Sequence, residues 1–229
     1  MNADAQLIIV AAGMGTRLSH PLPKALVPIS GTPLIVHTLQ AFETSCLTHS
    51  AIIVYPKAHQ KDFQDALDTA FPKNTCTLIA GGQERADSVA NGLKALSPST
   101  TIVLIHDAAR PFIEQPTIHA SIDTARRDGA ATVASACKDT VLEADPNGHL
   151  RNTPDRTTLR LCQTPQVFQR SIIEAAYASP TPDAITDDAT RVHRMGIPVT
   201  IIECSDTNIK ITTPQDIEYA EFLLEKKTP

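Results

Sequence analysis

Along almost the whole chain, short apolar runs alternate with segments whose apolar residues recur at helical spacing. The runs rich in β-branched and aliphatic residues predict strands at Leu7–Ala12, Ala51–Tyr55, Thr75–Ala80, Thr101–His106, Ala130–Ala136, Val199–Glu203 and Asn208–Ile211. Helical periodicity falls near Pro33–Thr44, His59–Phe71, Arg85–Leu96, Thr117–Arg127, Arg170–Ala178, Asp187–Met195 and Pro214–Glu225. In the third of these helices Ala86, Val89, Leu93 and Leu96 form one apolar stripe. Strands without polar interruption are buried on both faces. The expected class is therefore α/β, a Rossmann-like, mostly parallel twisted sheet with helices on both faces. One domain over residues 1–229 accommodates all of it.

Local signals mark several boundaries. Thr213-Pro214-Gln215-Asp216 offers a capping hydroxyl, a proline at the first helical position and an acid at the third. Thr186 is expected to start the sixth helix, and Gly196 to stop it. One stretch breaks the alternation: residues 137–160 are polar and contain the turn signal Asp145-Pro146-Asn147-Gly148. This predicts a projecting β-hairpin arm. A hairpin alone cannot bury a core, so the arm is expected to pack on a second copy of the chain as a homodimer.

Composition narrows the choice of partner. A formal charge of −5 argues against nucleic acid and acidic membranes as general partners, while leaving room for a local basic pocket. The five cysteines (Cys46, Cys76, Cys137, Cys162, Cys204) lack CxxC spacing and read as reduced thiols of a cytoplasmic protein. The run Leu7–Ala12 is too short for a signal sequence or a membrane span.

In open α/β sheets ligands bind beyond the carboxyl ends of the strands, so the loops there carry the candidate chemistry. After the first strand comes Gly13-Met14-Gly15-Thr16-Arg17-Leu18. Gly13 and Gly15 can take positive φ and bring backbone N–H groups to phosphate oxygens. The loop lacks the Gly-Lys-Ser/Thr of a P-loop, and Leu18 stands where a dinucleotide fingerprint needs a small residue. Two glycines alone are commonly just a tight turn. Here, however, Arg17 follows at once, and Lys24 stands after Leu22, which has proline on both sides. Two cations on a short stiff loop suit a triphosphate whose charge must be neutralised during reaction, although such residues are more often solvated surface charges. Asp107, at the end of another strand, is a candidate Mg²⁺ ligand or partner of a ribose hydroxyl, with Asp206 as a second oxygen; the alternative is a simple turn cap. His106 has no partner at ligand spacing and is expected to be packed and hydrogen-bonded, and Arg110 to support its loop.

Ala11-Ala12-Gly13-x-Gly15-x-Arg17 followed by Pro23-Lys24 resembles the motif of sugar-nucleotide transferases. Gly81-Gly82-Gln83-Glu84-Arg85-Ala86-Asp87-Ser88, His106-Asp107-Ala108-Ala109-Arg110-Pro111 and Asp206-Thr207-Asn208-Ile209-Lys210 narrow the likeness. Together, over about Leu7–Leu224, they resemble the 2-C-methyl-D-erythritol 4-phosphate cytidylyltransferase family of non-mevalonate isoprenoid biosynthesis. The resemblance implies transfer of CMP from CTP to a polyol phosphate, with Mg²⁺ or another divalent cation as cofactor. It further implies Arg17 and Lys24 as catalytic residues, and Ala11, Ala12, Gly13, Gly15, Gly82, Gln83, Ser88, Asp107 and Ala108 around the nucleotide. Thr140, Arg156, Thr164 and Lys210 would surround the acceptor, Thr140 and Arg156 reaching it across a dimer. Alternatives are the same chemistry on ribitol 5-phosphate, and a regulator that binds CTP without catalysis.

Overall fold

The computed structural model describes residues 4–18, 20–45, 47, 50–72, 76–180 and 185–227, with side chains through residue 226. In chain order the elements are β1 (Ala5–Val10), β2 (Pro28–Ile29), β3 (Thr32–Pro33), α1 (Leu34–Glu43), β4 (Ile52–Tyr55), α2 (Gln60–Ala70), β5 (Thr77–Ala80), α3 (Arg85–Lys94), β6 (Ile102–Asp107), α4 (Gln115–Asp128) and β7 (Ala130–Ala136). There follow β8 (Glu143–Ala144), β9 (Leu150–Asn152), β10 (Arg160–Gln169), α5 (Arg170–Ala178), α6 (Asp188–His193), β11 (Thr200–Glu203) and α7 (Pro214–Lys227). Seven strands make one sheet in the order β11-β7-β10-β6-β1-β4-β5, and within it only β10 runs antiparallel to its neighbours.

Alternation along the strands builds the two layers. Leu7, Ile9, Ile53 and Leu104 point to one face and pack with Phe42 of α1, Phe63 of α2 and Ile118 of α4. Their neighbours Ile8, Ile52, Val103 and Ile105 point to the other, against Val89 and Leu93 of α3, Ile173 of α5 and Val192 of α6. A third, smaller cluster joins Ile29, Leu34 and Phe112 to Ile211 and to Ala220 of α7. Every residue of β6 is buried, as a central strand covered on both sides requires.

Two sequence expectations are corrected, and one strand is added. Residues 208–211 form no strand: the N–H of Ile211 donates to the carbonyl of Ala109, and Asn208 is tied down through its side chain, bonding Gln163 Oε1 and the Thr164 carbonyl. Asp187, not Thr186, caps α6, its carboxylate accepting from the Thr190 N–H at 2.9 Å. The central strand β10 escaped the apolar pattern because Gln163, Thr164 and Gln166 interrupt it and Pro165 removes a ladder donor. The ladder accommodates them with a register shift between Cys162 and Gln166, at a cis Thr164–Pro165 bond. The predicted strand residue Thr75 lies outside the described residues, as does Cys46.

The arm is the connection between β7 and β10, which pair again from Ala136 and Arg160 inward. Asp145 builds its tip by accepting the N–H groups of Asn147 and His149, each at 2.9 Å. Leu142, Leu150 and Leu161 are more than half exposed along it.

Candidate active site

The carboxyl ends of β1, β4, β5 and β6 meet at one rim. Ladder hydrogen bonds continue past the strand ends: Ala11 N–H donates to Val54, Gly81 N–H to Tyr55, and Ala108 N–H to Val10. Thr38 of α1, fully buried, donates its hydroxyl to the Ala108 carbonyl at 2.8 Å. Three loops are thereby fixed side by side around a cleft of about 210 Å³, lined by the Val10–Gly13 loop, Lys24, the Gly82–Arg85 turn, Ser88, Asp107 and Lys210.

Each wall has a local cause. Gly15 takes φ +69°, and a Cβ there would stand 2.5 Å from Cβ of Lys24, so only glycine lets the lysine stem cross the loop. Lys24 itself starts a single 3-10 turn after Pro23. A Cβ on Gly82 would meet Cβ of Asp87 at 2.1 Å, because the turn folds tightly onto the start of α3. There the Glu84 N–H donates to Asp87 Oδ2 at 3.0 Å. The Ser88 hydroxyl, 1% exposed, accepts the Gly82 N–H and donates to the Glu84 carbonyl.

Asp107 is the electrostatic centre. Its Oδ2 lies 2.6 Å from Lys210 Nζ and 4.0 Å from Arg110 Nε, and its Oδ1 lies 3.6 Å from Arg85 Nε. Burial alone would raise its pKa, but Lys210 and Arg85 hold the carboxyl well below the usual carboxylate range. Lys24 is pushed the other way, down to about 8, by burial and then by the neighbouring charge of Lys210; Arg17 adds to the effect. Behind this wall His106 is fully buried and its pKa falls to about 4 by desolvation. The neutral ring donates from Nε2 to the Arg110 carbonyl at 3.0 Å and accepts at Nδ1 from the Thr164 hydroxyl at 3.1 Å. Thr164 Oγ1 in turn accepts the Asp107 N–H at 3.0 Å. Arg110 reaches the Asn208 carbonyl at 2.8 Å with Nη1, while its Nε has no hydrogen-bond partner among the described residues.

The cleft brings two lysines and an ionised aspartate against glycine turns, a lining whose charge suits phosphate groups, and the whole chain agrees with one family. The family described as 2-C-methyl-D-erythritol 4-phosphate cytidylyltransferase (IspD) matches residues 5–226. The chain belongs to this family. The 2-C-methyl-D-erythritol 4-phosphate cytidylyltransferase of Syntrophus aciditrophicus is 41% identical over 230 residues, spanning 99% of this chain and 98% of that one. Among solved structures, the 4-diphosphocytidyl-2C-methyl-D-erythritol synthase from Anaerococcus prevotii aligns with a TM-score of 0.83 at 30% identity, over 96% of this chain and 98% of that chain. The 2-C-methyl-D-erythritol 4-phosphate cytidylyltransferase from Thermus thermophilus gives 0.77 at 31%, over 95% and 98%.

Within this cytidylyltransferase fold the residues singled out from sequence divide into three groups. Ala11, Ala12, Gly13, Lys24, Gly82, Gln83, Ser88, Asp107, Ala108 and Lys210 line the cleft. Gly15 and Thr164 stand directly behind it, the first under Lys24 and the second under Asp107. Arg17 is exposed on the turn Thr16–Leu18, outside the lining but close enough for its charge to act on Lys24. Thr140 and Arg156 lie exposed on the arm, where Arg156 donates to the Lys138 carbonyl at 2.7 Å. Asp206 is exposed and ion-paired with Lys138. Arg85 received no role from the sequence, although it stands in the same motif as Gly82 and Ser88. Its place beside Asp107 depends on the α3–α6 contact, which no spacing reveals.

Among the described residues no three or more His, Cys, Asp or Glu side chains gather to hold a metal, and no helix is long and apolar enough to cross a membrane.

Proposed function

We propose that this cleft holds CTP and that Arg17 and Lys24 neutralise its phosphates during attack by the phosphate of 2-C-methyl-D-erythritol 4-phosphate. The family reaction joins CMP to that acceptor and releases pyrophosphate, in isoprenoid biosynthesis. The observation that carries the residue assignment is the convergence of Lys24, Lys210 and Asp107 on one cleft beside two tight glycine turns.

The nucleophile is an oxygen of the acceptor phosphate. A phosphate monoester has a second pKa of about 6 and is mostly dianionic at neutral pH, so no general base is required. His106, buried and already bonded at both nitrogens, accordingly has no proton to move. What remains for the protein is alignment and charge. The Val10–Gly13 loop and Gly82–Ser88 turn face the nucleotide, where a backbone carbonyl accepting from the exocyclic amine separates cytosine from uracil. Lys24 and Arg17 stabilise negative charge growing on the α-phosphorus oxygens and on the departing pyrophosphate. Lys210 keeps Asp107 Oδ2 with one of its three N–H donors and turns the others to the acceptor phosphate, while Asp107 Oδ1 faces the ribose.

The residues fit Mg²⁺ or another divalent cation carried chiefly by the triphosphate: Asp107 is ionised and lines the cleft, but it is not part of a preformed cage. Asp107 would hold it through Oδ1, the ion supplying charge neutralisation on the triphosphate; Asp206, paired with Lys138 outside the cleft lining, would reach it only by leaving that lysine.

Thr140 and Arg156 stand on an exposed arm with three exposed leucines, which supports a homodimer in which the arm completes the partner's acceptor site. Cys137, Cys162 and Cys204 are free thiols, which supports a cytoplasmic setting. Incubating the protein with CTP, Mg²⁺ and either methylerythritol phosphate or ribitol 5-phosphate, then weighing the products by mass spectrometry, tests the reading. The expected product is 4-diphosphocytidyl-2-C-methyl-D-erythritol, and faster turnover of the ribitol substrate contradicts the proposed acceptor.

A further inference from the structure

Asp188 is 1% exposed, and no step of the transfer uses it. Its Oδ2 accepts a 2.8 Å hydrogen bond from Nη2 of Arg85, and its Oδ1 accepts a 2.5 Å bond from the hydroxyl of Tyr177 on α5. Its backbone is pinned as well. Oε1 of Gln166, on the central antiparallel strand, takes the N–H groups of both Asp188 and Ala189 at 2.9 Å. A buried ion pair is weak as a source of stability, because desolvation of both charges offsets their attraction. So much fixation around one carboxylate calls for another explanation.

The other end of the same guanidinium supplies it. Arg85 lines the nucleotide cleft, with Nε 3.6 Å from Oδ1 of Asp107. That is too long for a hydrogen bond, and Oδ1 of Asp107 accepts none from any described residue. An unrestrained arginine beside an ionised carboxylate closes to a bidentate pair at about 2.7–2.9 Å. Here it does not close.

We infer that Asp188 is a positioning residue: it holds Arg85 back from Asp107, so that Oδ1 of Asp107 stays open to a ligand. Arg85 still lends its charge to the cleft wall, and Asp107 keeps one oxygen for Lys210 and one for a hydroxyl or cation of the nucleotide. The inference rests on the assignment of the cleft to CTP. It also assigns a use to Tyr177 and Gln166, which fix Asp188 from the side away from the cleft.

The test is a double-mutant cycle on the whole protein with Asp188→Asn, Arg85→Gln and the pair. KM for CTP, KM for the acceptor, kcat, calorimetric CTP affinity and thermal midpoint are measured for each. Asp188→Asn is expected to weaken CTP binding about ten-fold, within the range of couplings between contacting side chains. The acceptor KM stays within about two-fold, because the acceptor side of the cleft is untouched. Adding Asp188→Asn to Arg85→Gln changes CTP affinity no further, since the group to be restrained is gone. Arg85→Lys gives the same CTP-selective loss without touching Asp188, because a single flexible ammonium lacks the rigid fork whose far end Asp188 fixes away from Asp107. Unchanged CTP affinity in Asp188→Asn or in Arg85→Lys overturns the inference. So do losses that multiply in the pair, or that spread equally over both substrates in step with the thermal midpoint. Calorimetry with CTP alone keeps the outcome readable even if the acceptor proves to be another polyol phosphate.

Discussion

Gly15 and Lys24 are in contact across the first loop: a methyl group on the glycine would stand 2.5 Å from Cβ of the lysine, and the glycine backbone is at φ +69°. Gly15→Ala therefore meets two penalties, about 1–2 kcal/mol for the left-handed backbone and displacement of the lysine stem. The expected protein is folded but slow. Misplacement of a reacting group by about 1 Å can cost 10²-fold, and turnover should fall by about that factor. Steady-state kinetics beside a urea melt checks this; a kcat equal to the parent's means that the lysine stem is not held by Gly15.

The charge of Lys24 sets a pH limit. Burial and the charge of Lys210 favour its neutral form, bringing its pKa down to about 8 in the free protein. Only the protonated form can neutralise phosphate, so kcat/KM should decline as pH rises through about 8. Bound triphosphate favours the protonated form and raises the pKa again, so kcat should hold to higher pH than kcat/KM. A kcat/KM that stays level well above that pH would remove the charge of Lys24 from the free-enzyme step.

Arg156 is the arm's candidate for the acceptor phosphate, and it now donates to the Lys138 carbonyl on its own arm. Arg156→Ala is expected to raise the acceptor KM with the CTP KM unchanged, since the residue lies outside the cleft proposed for CTP. An effect confined to CTP would contradict the assignment.

Thr164 uses its hydroxyl twice, donating to His106 Nδ1 and accepting from the Asp107 N–H. Thr164→Val orphans both groups in a site where water is scarce. A stability loss of about 1–3 kcal/mol is expected, with Thr164→Ser recovering it. The denaturation midpoint reads the effect, at an unchanged m-value. A valine variant as stable as the parent would show that both orphaned groups find other partners.

How much of this was visible in the chain depended on whether local pattern or tertiary company decided the outcome. β1, β4, β6 and β7 are apolar on both faces, so their runs stand out; the helices between them carry one clear stripe each. β10 was hidden because its buried glutamines and threonine are satisfied by distant partners, Gln163 by Ser135 and Asn208, and Gln166 by the start of α6. Lys24, Asp107 and Lys210 could be singled out because each belongs to a motif that borders a strand's carboxyl end. Arg85 could not. Its side chain is defined by Asp188, 103 residues later, and sequence spacing carries no trace of that pairing.

The cation cluster is the centre of the proposed chemistry, and Lys24→Ala tests it most directly, by calorimetric CTP binding paired with pyrophosphate release under saturating substrates. The expected result is CTP affinity within a few-fold of the parent and turnover lower by about 10²–10³, or roughly 3–4 kcal/mol of transition-state stabilisation. Near-normal turnover, or a loss that shows wholly as weaker CTP binding, would contradict it.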